Sequence, residues 1–208
     1  MADVARSKEP RAKSPQEALK ILAEGNARFY SGEPTSRAVS AFDRRLQIVN
    51  QTPFAVVLGC SDSRVPVEIV FDQGPGELFV VRVAGNVVES GVLGTIEFAV
   101  KYLNVAAILV LGHEGCGAVQ AALRSPEQNA AEPAVLRSLL EQIAPAVQGV
   151  PKLTDTKARM REAVILNVKH QVQLLSANET IKAATKLGKI GVFGAFYEIG
   201  SGAVDFLD

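Results

Sequence analysis

The chain has 208 residues, of which 48% are hydrophobic and 21% charged, as is ordinary for a soluble globular protein. Its 22 basic and 22 acidic residues balance, which argues against nucleic acid or an anionic membrane surface as a partner. No apolar run reaches the roughly 18 residues of a membrane-spanning helix, and the N-terminus lacks the apolar region of a secretory signal. We therefore expect a cytoplasmic protein.

The N-terminal quarter predicts a helix between two arms. Residues 1–13 mix charges of both signs and are expected to form a short disordered arm. Residues 14–30 predict a helix that begins with an N-cap, a proline and a capping-box glutamate, namely Ser14, Pro15 and Glu17. The following stretch, to about residue 50, is typical of an amphipathic arm that wraps around another surface, such as a partner subunit.

Three short apolar segments rich in β-branched residues predict buried strands of a parallel sheet: residues 53–59, 78–83 and 106–111. Helical segments are predicted between and after them, at residues 91–103, 117–124, 133–148, 158–176 and 178–187. Residues 125–133 are rich in proline, amides and glutamate, and are expected to form a loop. Residues 189–199 and 203–207 flank Gly200-Ser201-Gly202 and predict two strands joined by a tight turn.

Strand and helix alternate, which predicts an α/β fold. We expect a mainly parallel central β-sheet flanked by helices, with an N-terminal helical arm and a C-terminal edge hairpin. The crossovers between parallel strands should be right-handed. Because the sequence shows no internal repeat and no linker, residues 1–208 are expected to form a single domain.

Two of the predicted strands end in polar loops that contain both cysteines. Cys60 follows the first strand, and His113 and Cys116 follow the third. Ligands of open α/β sheets bind beyond the carboxyl ends of the strands, so these side chains are expected to approach one another there. Two thiolates and an imidazole suit zinc, and three protein ligands leave the open position of a catalytic site. A closed site of Cys and His alone would need His170, far along the chain in a helical stretch.

Other roles for the cysteines fit the sequence less well. Buried cysteines often only fill space, but here each stands at a polar strand end with an aspartate or a histidine close by. A phosphate-binding Cys-x5-Arg loop needs five intervening residues, whereas Arg64 follows Cys60 after three. A thioredoxin-like site is excluded because the sequence has no Cys-x-x-Cys motif.

Asp62 and Arg64 stand at alternate positions after Cys60, so both can project to one side of an extended loop. In one interpretation Arg64 fixes the Asp62 carboxylate and keeps it ionised. The carboxylate then accepts a hydrogen bond from a zinc-bound hydroxide, or moves in as a fourth zinc ligand in a closed state. The alternative is a loop ion pair that contributes about 0–1 kcal/mol when exposed.

At these residues the sequence resembles the β-class carbonic anhydrases. Two motifs carry most of the resemblance, namely Cys60-Ser61-Asp62-Ser63-Arg64-Val65-Pro66 and Gly112-His113 with Cys116-Gly117-Ala118. The resemblance covers about residues 14–207. The resemblance implies the reversible hydration of CO2 to bicarbonate and a proton by a zinc-bound hydroxide, with zinc on Cys60, His113 and Cys116 and with Asp62–Arg64 as a dyad.

The resemblance also implies a homodimer or a homotetramer built from dimers, with the active site near the subunit interface. It implies that Gln51 hydrogen-bonds the substrate across the dimer. Phe79, Ala84 and Gly117 match substrate-binding positions of the family. For Phe79 core packing is an equally natural interpretation, and for Gln51 the alternative is an ordinary polar residue before a strand.

Some bacterial members of this family are inhibited by bicarbonate at a pocket built from a tryptophan, an arginine and a tyrosine. Arg82 and Tyr197 match the arginine and the tyrosine, whereas Val57 stands at the position of the tryptophan. We therefore expect no cooperative inhibition through this pocket. Two rival functions are hydrolysis of carbon disulfide or carbonyl sulfide at a similar site, and a zinc-binding module without catalysis, closed by a fourth protein ligand.

Overall fold

The structure is a computed structural model, and it describes residues 11–35 and 40–207. Its helices and strands are, in chain order, α1 (Pro15–Tyr30), α2 (Ala41–Gln47), β1 (Ala55–Gly59), α3 (Val67–Val70), β2 (Leu78–Arg82), α4 (Ser90–Tyr102), β3 (Ala107–His113), α5 (Gly117–Ala122), α6 (Pro126–Ala130), α7 (Ala134–Val147), α8 (Thr156–Ala177), α9 (Glu179–Lys186), β4 (Gly191–Tyr197) and β5 (Val204–Leu207). A single 3-10 turn, Ala84–Asn86, follows β2. No helix in the described ranges is long and apolar enough to cross a membrane.

The strands of the described chain form one sheet in the order β2-β1-β3-β4-β5. Strands β1 to β4 run parallel, and β5 pairs antiparallel with β4 as the predicted hairpin. Strands β1 and β3 are buried along their whole length, which explains why their sequences are uninterrupted apolar runs. The predicted α/β class and mainly parallel sheet are therefore confirmed.

Helices cover both faces of the sheet. One apolar cluster joins the sheet to α4, α5, α7, α8 and α9, and a second joins it to α1 and α3. The first cluster includes Cys60 and Cys116, and the second includes Val65, so residues of the loops that follow β1 and β3 belong to the packed core. The loops therefore begin from a rigid, fully packed support.

Helix α1 begins as the sequence predicts. The Ser14 hydroxyl accepts a hydrogen bond from the Glu17 amide at 3.1 Å, and Pro15 is the first helical residue. The Glu17 carboxylate completes the cap on the amide of Lys13, at 2.8 Å, rather than on that of Ser14. The helix is thus closed at its N-terminus by side chains, in a variant of the capping box that is displaced by one residue.

The disordered arm predicted for residues 1–13 is wrong at its C-terminal end. Residues 1–10 lie outside the described residues. Ala12, however, is 3% exposed, and the Arg11 guanidinium donates a hydrogen bond to the Gln73 side-chain oxygen at 2.8 Å. Gln73 lies in a loop 62 residues away in sequence, so local composition could not indicate this contact.

The loop predicted for residues 125–133 is also wrong in part, because it contains helix α6. The Ser125 hydroxyl accepts a hydrogen bond from the Gln128 amide, and the Gln128 side chain accepts one from the Ser125 amide. Pro126 is the first helical residue. The capping-box pattern was therefore present here as well, and it outweighs the loop-like composition around it.

Gly112 lets α8 pack closely against the end of β3. A Cβ at this position would lie 2.6 Å from a methyl carbon of Val164 and 2.6 Å from one of Val168. No side chain fits at that distance, so a substitution would push α8 away from β3. The next residue is His113, and its position therefore depends on this contact.

Candidate metal centre and active site

Cys60, His113 and Cys116 meet at the carboxyl ends of β1 and β3. The two strands pair in parallel, so the loops that follow them start side by side. The donor atoms of the three side chains all lie within 4.8 Å of one another, and all three residues are buried. Within the described residues, no second group of His, Cys and acidic side chains is close enough together to hold a metal ion. His170 does not belong to the group.

The histidine is oriented to offer one nitrogen to a cation. His113 Nδ1 lies 2.9 Å from the carbonyl oxygen of Glu114, so Nδ1–H donates there and Nε2 carries the lone pair. Nε2 is buried and has no hydrogen-bond partner in the structure. A buried polar atom without a partner is unfavourable, and a metal ligand role explains this one. The donor set of one imidazole and two thiols fits zinc.

The electrostatics of the two thiols also favour a cation. The pKa of Cys60 is lowered to about 4, because its thiolate accepts a hydrogen bond from the Cys116 thiol and, against the effect of burial, another from the Gly85 amide. The pKa of Cys116 is raised, because its thiol donates to Cys60 and is itself buried. The pair therefore releases one proton easily, and a divalent cation can replace the second.

Asp62 and Arg64 form a two-pronged ion pair. The backbone amide and Nε of Arg64 donate to Asp62 Oδ1 at 2.9 and 3.0 Å, and Nη2 donates to Oδ2 at 2.7 Å. The hydrogen bonds and charge of Arg64 hold the pKa of Asp62 well below its usual range. Asp62 Oδ2 lies 3.9 Å from His113 Nε2, so the ionised carboxylate lies next to the metal-binding group.

Arg64 also connects the two loops of the site. Its Nη2 donates to the carbonyl oxygen of Gly115, at 3.3 Å, between the two ligands of the second loop. Gly115 itself has a φ of +64°, a conformation that glycine adopts without strain. One guanidinium therefore positions the Asp62 carboxylate relative to the loop of His113 and Cys116.

The predicted pocket residues Phe79, Ala84 and Gly117 lie on three different elements. Gly117 begins α5 directly after Cys116, and a Cβ there would meet open space. Ala84 is half-buried in the 3-10 turn that also contains Gly85. Phe79 is half-buried on the edge strand β2, and its ring stacks on that of Phe98 with 6.4 Å between the centroids.

Gln51 lies near the amino ends of the parallel strands, whereas the metal ligands of the same chain lie at the carboxyl ends. It precedes the amino end of β1, whereas Cys60 follows the carboxyl end. The strand between them is about 13 Å long, from a rise of about 3.3 Å per residue. The Gln51 side chain is exposed. A role for Gln51 at this kind of site therefore requires a second subunit.

The contacts by which three residues support the site were not predicted from the sequence. Arg82 donates from Nε to the Cys60 carbonyl at 2.9 Å and from Nη2 to the Asp62 carbonyl at 2.5 Å. Asn167 and Gln171 of α8 bind the backbone of the segment after β2. A signal for these two exists, since they are amides four residues apart within the buried face of a helix.

Known proteins resemble the chain over most of its length. The family profile described as carbonic anhydrase matches residues 55–204. Carbonic anhydrase 2 of Mycobacterium tuberculosis is 40% identical over 190 residues, which cover 91% of this chain and 91% of the relative. The carbonic anhydrase of Mycolicibacterium smegmatis is 37% identical over 197 residues, which cover 92% of this chain and 93% of the relative.

Solved structures show the same relationship. A tetrameric β-carbonic anhydrase of Sordaria macrospora has a TM-score of 0.73 and 28% identity, covering 91% of this chain and 95% of that one. The Coccomyxa β-carbonic anhydrase in complex with acetazolamide has a TM-score of 0.71 and 26% identity, and the match covers 92% of this chain and 82% of that one. The chain therefore belongs to the β class of carbonic anhydrases, the lyases that hydrate CO2.

Proposed function

We propose that the protein binds zinc at Cys60, His113 and Cys116 and uses it to convert CO2 and water to bicarbonate and a proton. The observation that carries this proposal is the cluster of two thiols around the unpaired, buried Nε2 of His113. Zinc in such a site supplies hydroxide near neutral pH by lowering the pKa of bound water to about 7.

The residues around the ligands have separate roles in this proposal. Asp62 accepts a hydrogen bond from the nucleophile and thereby orients it toward the carbon of CO2. Arg64 binds both carboxylate oxygens of Asp62, which keeps that carboxylate ionised and prevents it from moving in as a fourth metal ligand. Phe79, Ala84 and Gly117 are proposed to line the side from which the apolar substrate approaches.

Metal content combined with a CO2 hydration assay tests this function. We expect about one zinc per chain, as for a three-ligand catalytic site, and hydration of CO2 in stopped flow. Zinc without hydration would support a structural zinc module instead. Hydrolysis of carbon disulfide or carbonyl sulfide that exceeds CO2 hydration would assign the site to that substrate class.

We further propose that the protein is a homodimer or a tetramer built from dimers. Between α2 and β1, Ile48 is 81% exposed and Val49 is 84% exposed, and Phe42 and Leu46 of α2 are exposed as well. Adjacent exposed apolar side chains of this kind mark an interaction site. Gln51 is two residues beyond Val49, and we propose that a subunit bound here brings Gln51 near its own active site.

Subunit complementation tests the shared site. We expect Gln51→Ala to lower kcat/KM about tenfold, which corresponds to one lost hydrogen bond to substrate, and Cys60→Ser to be inactive. In a mixed dimer, the Gln51→Ala subunit keeps its own Cys60 and receives the intact Gln51 of its partner, so co-refolding the two variants should restore activity. A fully active monomer, or a mixture without recovered activity, would refute the shared site.

We predict that bicarbonate does not inhibit this enzyme cooperatively through the tryptophan–arginine–tyrosine pocket. The guanidinium of Arg82 already donates to two loop carbonyls. Tyr197 and Val57 are both buried in the same apolar cluster, and β1 and β3 separate the strands of Arg82 and Tyr197. The Arg82 guanidinium is therefore already engaged, the Tyr197 side chain is buried, and no aromatic side chain stands at Val57.

The inhibition by bicarbonate is measured by steady-state kinetics of CO2 hydration across a bicarbonate series at fixed ionic strength. We expect product inhibition that follows a hyperbola. A steep, sigmoidal inhibition that disappears in Arg82→Ala would contradict the prediction. Since Arg82 also holds the ligand loop, the zinc content of that variant must be measured in parallel.

We propose a single domain and a cytoplasmic location. One sheet contains strands from Ala55 to Leu207, and both apolar clusters pack against it. Cys60 and Cys116 are free thiols. A reducing compartment keeps such neighbouring cysteines available as metal ligands, whereas an oxidising one favours disulfides.

A further inference from the structure

A chain of buried hydrogen bonds connects helix α8 to the sulfur of Cys60. The amide of Gly85 donates to Cys60 Sγ at 3.4 Å, and the carbonyl of Gly85 accepts from Asn167 Nδ2 at 2.9 Å. Asn167 Oδ1 accepts from Gln171 Nε2 at 3.1 Å, and Gln171 Oε1 accepts from the amide of Val88 at 2.8 Å. Two side chains of α8 therefore hold both ends of the segment from residue 85 to residue 88.

The two amides lie where a helix normally buries apolar side chains. Asn167 and Gln171 are 0% exposed, as are Val164, Val168 and Leu175 on the same helix. Burying an amide is unfavourable unless its polar atoms find partners, so packing alone would favour leucine at either position. Here the amides bind each other and the backbone of the 85–88 segment, which indicates that they are present to hold that segment.

Gly85 cannot be positioned by a side chain of its own. Its φ is +68°, and a Cβ would lie 2.6 Å from Cδ1 of Ile143 and 3.2 Å from the methyl of Ala118. Only glycine fits, so the orientation of its peptide groups depends on hydrogen bonds. The amide that faces Cys60 and the carbonyl held by Asn167 belong to consecutive peptide groups joined at the Gly85 Cα. Fixing the carbonyl therefore limits the rotation that would turn the amide away from the sulfur.

We propose that Asn167 and Gln171 are positioning residues of the metal centre, which keep the Gly85 amide hydrogen-bonded to the Cys60 thiolate. This inference rests on the proposed function, because it assigns the amides a role in zinc binding. A hydrogen bond to a ligand sulfur orients it and moderates its electron donation to the metal. Partners of metal ligands typically change metal affinity by about 10- to 100-fold when they are removed.

The test is the zinc affinity of Asn167→Ala, measured by competition with a chromophoric chelator. We expect the zinc dissociation constant to rise about 10- to 100-fold. A second readout is the cobalt-substituted protein, in which the thiolate-to-cobalt absorption band should move to longer wavelength. A thiolate that has lost a hydrogen bond gives up electron density more easily, so the sign of this shift is specific. Gln171→Leu, which keeps the volume, should show a smaller effect in the same direction.

Leu175→Ala is the matched control, because Leu175 is fully buried on the same helix but outside the hydrogen-bonded chain. Both alanine variants should lower the free energy of unfolding of the metal-free protein, but only Asn167→Ala should change zinc affinity and the cobalt band. If Asn167→Ala does not fold, Gln171→Leu decides the question.

The inference would be overturned if Asn167→Ala kept the zinc affinity and the cobalt band of the wild type. It would also be overturned if Leu175→Ala changed both as much as Asn167→Ala does. Either result would leave the proposed function intact. A wild-type protein that neither binds zinc nor hydrates CO2 would overturn both.

Discussion

Replacing Cys60 by serine or His113 by alanine should remove zinc from the protein and abolish CO2 hydration. A serine hydroxyl is not ionised at neutral pH and is a poor zinc ligand, and alanine leaves two thiols without their imidazole. Losing a partner of a ligand already costs about 10- to 100-fold in metal affinity, so losing the ligand itself should cost more than about 100-fold. Atomic emission analysis after dialysis, with stopped-flow hydration, measures both losses.

His170→Ala is the control for His113→Ala, because it removes the other histidine of the sequence. His170 is on α8 and outside the ligand cluster, so zinc content and activity should equal those of the wild type. Loss of zinc in His170→Ala would indicate a closed site with four protein ligands. Full zinc and full activity in Cys60→Ser or His113→Ala would show that the metal assignment is wrong.

The metal-binding group could be predicted from the sequence because each of its parts depends on short-range patterns. The apolar runs before Cys60 and His113 indicate buried parallel strands, and buried parallel strands bring their carboxyl ends together. Asp62 and Arg64 are two residues apart in one loop, so their contact is also local. What the structure adds is the orientation of His113, which depends on a hydrogen bond to the carbonyl of the next residue.

The contacts that support this group could not be predicted, because they join residues that are distant in sequence. Asn167 and Gly85 are 82 residues apart, and Arg82 contacts carbonyls 20 and 22 residues before it. No periodicity specifies which buried amide meets which peptide group. The error at Arg11 has the same origin, since a mixed-charge segment looks disordered until its partners at the sheet edge are known.

Removing either member of the dyad should reduce CO2 hydration strongly while zinc stays bound. For Asp62→Ala we expect kcat/KM to fall by about 100-fold or more, in the range of a positioned proton-accepting group. Arg64→Ala should lose activity for a different reason, since it frees Asp62 to move onto the metal and block the open position. Both variants should fold, because the pair lies in a loop and the Arg64 side chain is 54% exposed.

Anion binding separates the two mechanisms. Azide needs the open metal position, so it should bind Asp62→Ala at least as tightly as the wild type and Arg64→Ala more weakly. Arg64→Lys keeps the charge but loses the two-pronged contact, and its activity should lie between those of Arg64→Ala and the wild type. Asp205→Ala is the control, because it removes a similarly short ion pair elsewhere. Asp205, on strand β5, has its Oδ2 2.6 Å from Nη2 of Arg161. If both dyad variants stay within about twofold of the wild type, roughly 0.4 kcal/mol in activation free energy, Asp62 and Arg64 form only a loop ion pair.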